Sequence, residues 1–523
     1  MAIASAPPDA VYLHGNLLTL DAACPSAQAL AVLGDRILAV GADADIAALA
    51  ANGTVRHDLG GRFVVPGFND AHTHLLLAGR NKLELELSGL RSLGELQQRV
   101  GAHAAILPPG EWILGSRWDS TLWPGQQLPT RRDLDPFTGG HPALLHRLDL
   151  HAAVVNSAAL ERAGIGFSTP APAGGALDAA RGLLFETAVR MLTAVVPPIS
   201  TEQRRRALRL AMHEAVAHGV TSVQDNSGWE AFLDFEALQQ AGELPIRVSE
   251  WLNFNDPLTT LEEQRAHHAP DRWLRTGMLK AFMDGSLGSR TASLLAPYSD
   301  DPGNCGLPRY EQAELNRLSI ERARAGFQLG FHAIGDAAAR MALNAFAAAQ
   351  AAAGTFDSRH RIEHLQILAP EDLVRMGQLG VVASVQPSHL LDDCRWALER
   401  LGAARAREAY PWRSFFDHGV TLAFGTDVPV ASINPLLTIC AALTRAGGYP
   451  PDSECLSLEQ ALYASMMGSA TAEFAEDRKG SLTLGKLADF VVLSEDLRTI
   501  PASGIPEVKI LRTVVGGQTQ FEL

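Results

Sequence analysis

Two histidines separated by one residue, His72 and His74, close the run "VVPGFNDAHTH". Residues two apart on a strand face the same side, so this pair can hold one metal ion together. Later apolar runs end in metal-capable residues too: His332 closes "GFQLGFH", His364 closes "RIEH", and Asp427 follows "TLAFG" within "TLAFGTD". Lys280 lies inside "GMLKAFMDG", with apolar neighbours on both sides. A lysine there is buried whichever way it points. It either pairs with a carboxylate such as Asp284, or its depressed pKa permits carboxylation by carbon dioxide, which would make it an anionic, metal-bridging ligand. The five cysteines are scattered without a CxxC, so a metal site must be built from histidine and carboxylate. Such donors suit zinc, although manganese, iron or cobalt are alternatives. The chemistry available to this set is hydrolysis by metal-activated hydroxide, with Asp427 moving the proton.

These residues need a frame that brings strand ends together. Short apolar runs begin near Arg62, Gly219, Pro245, Gly277, Gly326, His360, Gly380 and Gly419, separated by helical, Ala/Leu/Glu-rich segments. Strand–helix repetition of this kind indicates parallel βα units, and eight candidate strands predict a closed (β/α)8 barrel (a TIM barrel). The spacing agrees with a unit of roughly 30–40 residues. His332 and His364 are one unit apart, His364 and Asp427 two, and Lys280 and His332 one unit plus a long loop. The candidates therefore fall at the ends of strands one, five, six and eight, and within strand four.

Three segments complete the expected organisation. Residues 1–62 and 471–523 read as hairpin-rich β-structure, with Gly34-Asp35 as one turn, and are expected to meet as a small composite β-domain. The barrel is expected over 63–470. A Trp/Pro-rich stretch at about 80–200, containing the β-like run "PALLHRLDLH", interrupts the rhythm as a large insertion after strand one. Trp118, His151 and Arg290 are candidate substrate-binding residues, with His389 a further pocket candidate. Arg290 has an alternative role as a partner of Asp284.

A formal net charge of −14 argues against nucleic acid or an anionic membrane as partner. The opening residues lack the pattern of a signal peptide, and no apolar run is long enough to cross a membrane. The expectation is a cytoplasmic enzyme with reduced thiols, a small-molecule substrate and, by default, a homodimeric assembly.

The HxH pair, the strand-four lysine, the two later histidines and the strand-eight aspartate together resemble the amidohydrolase superfamily. "VVPGFNDAHTH" and "GSLTLGKLADFVVL" are similar to its entry and exit signatures. "GSRWDSTLWP", "PTRRDLD", "LDLHAAVVNSAAL", "LKAFMDGSLGSRTA" and "HAIGD" resemble the YtcJ-like branch that includes N-substituted formamide deformylases. The resemblance implies one or two zinc ions: His72 and His74 at one position, His332 and His364 at a second, and Lys280 bridging when carboxylated. Asp427 is implied as ligand and general acid/base. The implied substrate is an N-substituted formamide or another N-acyl amine. Alternatives are a cyclic-amide or carbamate hydrolase, a deaminase, or a non-catalytic scaffold. Mononuclear deaminases of the superfamily carry Glu three residues after the strand-five histidine, where this chain has Gly335.

Overall fold

The computed structural model describes residues 6–147, 152–172, 175–354 and 357–523. The chain forms two compact units, one from Met1–Leu75 with Ala211–Leu523 and the other from Leu76–Leu210.

The first unit contains the barrel. Its eight strands are β1 (Phe68–Thr73), β2 (Val220–Asp225), β3 (Arg247–Asn253), β4 (Leu274–Phe282), β5 (Leu329–Ala333), β6 (Arg361–His364), β7 (Val382–Val385) and β8 (Leu422–Phe424). Each pairs in parallel with the next in sequence. The seam between β8 and β1 closes beyond the end of β8. There the Asp427 N–H donates to the His72 carbonyl at 2.7 Å, and the His74 N–H to the Val428 carbonyl at 3.0 Å. Closure and the candidate chemistry therefore share the same residues. Gly425 permits this approach: a Cβ there would lie 2.6 Å from both the backbone nitrogen and the Cβ of His72.

The run "RFVVPGFNDAH", expected as one strand, is two. Phe63–Pro66 joins a six-stranded sheet, pairing with Phe490–Leu493 and Asn16–Leu18, and only the part after Gly67 enters the barrel. Gly67 is where the chain passes from one sheet to the other, and a Cβ on it would fall 2.2 Å from the Thr221 hydroxyl oxygen. Strands from both ends of the chain thus share one sheet. A second, four-stranded sheet contains Ala29–Leu33 and Arg36–Gly41, joined by the anticipated Gly34-Asp35 turn. Tyr12, Leu17, Leu30, Val64, Phe490 and Val514 pack into one apolar core that unites these segments.

The second unit covers most of the segment read as an insertion. It holds a six-stranded mixed sheet, and "PALLHRLDLH" contributes the strand Ala143–Arg147 to it. Trp118 and Trp123 are buried in its core among Leu96, Val100, Leu134 and Leu145.

Candidate metal centre

Strand parity decides which side chains reach the barrel interior. On β1, Asp70 and His72 point inward, and His74 follows at the mouth. Asp70 accepts hydrogen bonds from the Thr426 hydroxyl (2.6 Å), the Thr426 N–H (3.0 Å) and the His72 N–H (3.1 Å). Burial pushes its carboxyl up to about 7. It clamps β1 to the segment that carries Asp427.

On β6, Arg361 and Glu363 point inward. Glu363 is fully buried and accepts from Arg361 Nε (2.6 Å), the Ser384 hydroxyl (2.7 Å) and His72 Nδ1 (2.7 Å). This fixes the His72 tautomer with its proton on Nδ1 and its lone pair on Nε2. His364 has the opposite parity and would face the surrounding helices in a regular strand. Its φ of 79°, with 46° at Leu365, turns the chain so that its ring lies 5.0 Å from His72 and 4.5 Å from His332, between centroids. Left-handed backbone at consecutive non-glycine residues is strained, and Asp427 shares it with φ 59°.

His74 donates from Nδ1 to the Asn226 carbonyl at 3.0 Å, which directs Nε2 to Asp427 Oδ1, also at 3.0 Å. Asp427 further lies 3.5 Å from His72 Nε2 and, through Oδ2, 3.7 Å from His389 Nε2. Two groups of three potential ligand atoms therefore share Asp427: His72, His74, Asp427 and His364, His389, Asp427. His332 lines the same cavity but joins neither group. Its Nδ1 is 3.1 Å from Asp284 Oδ1 without hydrogen-bond alignment. Asp284 is instead engaged by the backbone N–H groups of Ser293, Ile334 and Gly335. The resemblance implies a pairing of His332 with His364; in this arrangement His389, following β7, is the residue grouped with His364.

Lys280 Nζ approaches His72 Nε2 at 3.4 Å and stands 4.9 Å from the Trp251 ring centroid. It makes no ion pair with Asp284 among the described residues. Burial lowers its pKa to about 8, opposed by Glu363 and Asp427. Burial also holds His72 and His364 well below the ordinary imidazole value, so both are neutral ligands-in-waiting near neutral pH. Burial would raise the Asp427 carboxyl, but its histidine neighbours outweigh that and hold it below the usual carboxylate range. With His72 neutral, the effective partner is His74: burial lowers its pKa, but the bond to Asp427 and the charges of Asp427 and Asp225 together leave it raised.

A metal ion fits these donors. His364 Nδ1 and His389 Nε2 are buried without hydrogen-bond partners among the described residues. Unsatisfied buried imidazole nitrogens beside an ionised carboxylate are a coordination set rather than a finished core.

The donors open onto a cavity of about 460 Å3, walled by Phe282, Leu287, Ile334 and Val430 and by the polar residues Gln366, Ser388 and Trp396. Two of the expected substrate-binding residues have partners of their own. Trp118 is 0% exposed and its indole N–H donates to the Leu145 carbonyl at 2.8 Å, so it belongs to the core of the second unit. Arg290 pairs through both Nε and Nη2 with Asp300, at 3.2 and 2.8 Å. His151 lies outside the described residues. Glu363, Arg361, Trp251 and Gln366 escaped the sequence reading. The signal for the first two was there, because alternation within "RIEH" puts Arg361 and Glu363 on one face.

The profile of the amidohydrolase family matches residues 57–521. Protein LONG AFTER FAR-RED 3 of Arabidopsis thaliana is 36% identical over 98% of this chain and 91% of its own length. The putative amidohydrolase YtcJ of Bacillus subtilis is 32% identical, covering 89% and 90% of the two chains. The N-substituted formamide deformylase of Arthrobacter pascens is 27% identical over 98% of both. An uncharacterized metal-dependent hydrolase from Pyrococcus furiosus superposes with a TM-score of 0.79 at 30% identity, over 93% of this chain and 99% of that one.

Proposed function

This chain belongs to the amidohydrolase family, in its YtcJ-like branch, and is a metal-dependent hydrolase of carbon–nitrogen bonds; from that premise we propose that it cleaves an N-substituted formamide or another N-acyl amine, with Asp427 as general acid/base. The observation that carries this reading is the sharing of Asp427 by two histidine pairs at the barrel seam. His72, His74 and Asp427 would hold one ion and His364, His389 and Asp427 a second. Lys280, next to His72, would add a carboxylate if its neutral amine combines with carbon dioxide and releases a proton. Zinc suits the imidazole and carboxylate donors; when bound, such an ion lowers the pKa of a coordinated water and polarises a carbonyl oxygen.

The protein's own groups do the rest. Asp427, ionised and aimed by His74, accepts the proton of the attacking water and returns it to the departing nitrogen. Its backbone bond to His72 keeps the carboxylate at the seam through both transfers. Phe282, Leu287, Ile334 and Val430 offer an apolar wall for the nitrogen substituent and keep bulk water from it. The deaminase alternative is disfavoured at Gly335, where a Cβ would lie 1.9 Å from the Ser293 carbonyl oxygen, leaving no room for a glutamate side chain. Five free cysteines support a reducing, cytoplasmic setting, and among the described residues no helix is long and apolar enough to cross a membrane.

The test combines metal analysis with amine release from a panel of N-substituted formamides. Asp427→Asn is expected to lower kcat by at least about a thousandfold while metal is retained. Wild-type rates in that variant, or purified protein that takes up no metal, would overturn the reading.

A further inference from the structure

Gln366 occupies the cavity wall two residues beyond His364, and its side chain is not disposed as a packing residue. It is only 6% exposed, yet its Oε1 has no hydrogen-bond partner among the described residues. The rest of its amide is tied down. Nε2 donates to Asp393 Oδ2 at 2.9 Å, the same oxygen accepts from the Tyr410 hydroxyl at 2.8 Å, and the Gln366 carbonyl accepts from the Tyr410 N–H at 2.7 Å. Tyr410 is itself held through its carbonyl by the buried guanidinium of Arg445 at 2.8 Å. Because Asp393 Oδ2 already accepts from Tyr410, the end of the Gln366 amide that meets it is the N–H end. The carbonyl end is therefore left as a desolvated acceptor without a partner among the described residues, on a side chain that lines the cavity. The left-handed backbone at His364 and Leu365 turns the strand end, and both His364 and Gln366 line the same cavity.

A buried acceptor without a donor is costly, and a site built around one rejects molecules that cannot supply the missing proton. In an amide substrate the available donor beside the scissile bond is the nitrogen's own N–H. We propose that Gln366 accepts the N–H of the substrate amide and that Asp393 and Tyr410 hold it in that orientation, so that the enzyme selects secondary N-acyl amines over N,N-disubstituted ones. This rests on the amide-hydrolase reading and deepens it by naming the nitrogen's substitution as what the site senses. Ser388, 5% exposed with an unpartnered hydroxyl on the same wall, makes a second polar contact available.

The probes are N-(2-phenylethyl)formamide and its N-methyl counterpart, which differ by the N–H alone and carry an aromatic group suited to the Phe282 and Leu287 wall. Calorimetric binding to the zinc-loaded protein reads the inference, and amine release reads the hydrolysis on which it rests. The secondary amide is expected to bind at least about tenfold more tightly than the tertiary one. Gln366→Met, similar in size but without the acceptor, should bring the two within about twofold by weakening the secondary amide alone. Asp393→Asn, which can donate to Oε1 and so let the Gln366 amide turn its N–H to the cavity, should also erase the preference. Equal binding by wild-type protein, no binding of either probe, or variants that weaken both probes alike would overturn the assignment. Selective binding without amine release would leave Gln366 as assigned and refute the hydrolysis.

Discussion

The two ends of the barrel both bury ionisable groups, but they treat those groups in opposite ways. At the N-terminal ends of the strands the charges are matched. Arg247 makes two bonds to Asp489, at 2.7 and 2.8 Å, and Glu473 accepts from Lys479 (2.6 Å), Arg275 (3.0 Å) and Asn69 (2.9 Å). At the C-terminal ends His364, His389, Gln366 and Ser388 each keep a buried atom unpaired among the described residues. A matched buried pair joins elements, here β3 to the segment before the last strands. An unmatched set adds no such bond and persists where a ligand completes it.

The largest effects should fall on opposite observables at the two ends. Arg247→Met strands the Asp489 carboxylate and should cost about 3–5 kcal/mol of stability, seen as a lower denaturant midpoint. Asp427→Asn should abolish turnover and lower that midpoint by less than Arg247→Met does, because the bond to His74 is lost but His74 can shed its proton once the carboxylate is gone. Equal stability losses in the two variants would break the distinction.

Metal binding should sharpen it further. His74 carries a raised pKa through Asp427, so below that pKa a proton competes with the ion. Affinity is expected to fall as pH falls, with release of up to about one proton on binding. Calorimetry in buffers of different ionisation enthalpy measures this.

A smaller effect is expected at Glu250, a buried carboxyl whose Oε1 is engaged while its Oε2 has no hydrogen-bond partner among the described residues. It accepts from the Ser227 and Gly228 N–H groups at 2.8 and 2.6 Å, and burial followed by the nearby Asp225 drives its pKa well above 4.5. The folded state then keeps a proton that the unfolded chain releases, so stability falls as pH rises from about 4.5 towards the folded pKa. Glu250→Gln should flatten that slope and leave Tm at pH 8 unchanged or higher; a lower Tm would show that the ionised form is the native one. The smallest effect belongs to Arg290→Ala. Its partner Asp300 is a structural one and the pair is partly solvated, so kcat and KM should stay within about twofold. A large rise in KM would restore Arg290 as a substrate anchor.

Legibility followed the range of the physics. "GFQLGFH" and "TLAFGTD" could be read because a strand's apolar run and the residue at its end are adjacent in the chain, and eight such runs specify a barrel by number alone. The break at Gly67 was hidden, since the partners that divide the two strands, Phe490–Leu493 and Thr221, are remote in sequence. Trp118 looked like a mouth residue for a similar reason: nothing local says which sheet will cover an indole. His389 was only one pocket candidate among several, and its approach to Asp427 depends on how β7 and β8 leave the barrel.

The residue types and their order along the strands thus determined the barrel and the composite β-structure from both termini, and marked His72, His74, Lys280, His332, His364 and Asp427 as candidate donors. These depend on periodicity and on spacing, which a chain carries in one dimension. Only the tertiary structure decided which histidines share Asp427, which tautomer Glu363 imposes on His72, and which wall atoms remain unpaired. Those properties depend on the left-handed turn at His364, on the seam that ties Asp427 to His72, and on desolvation by residues hundreds of positions apart.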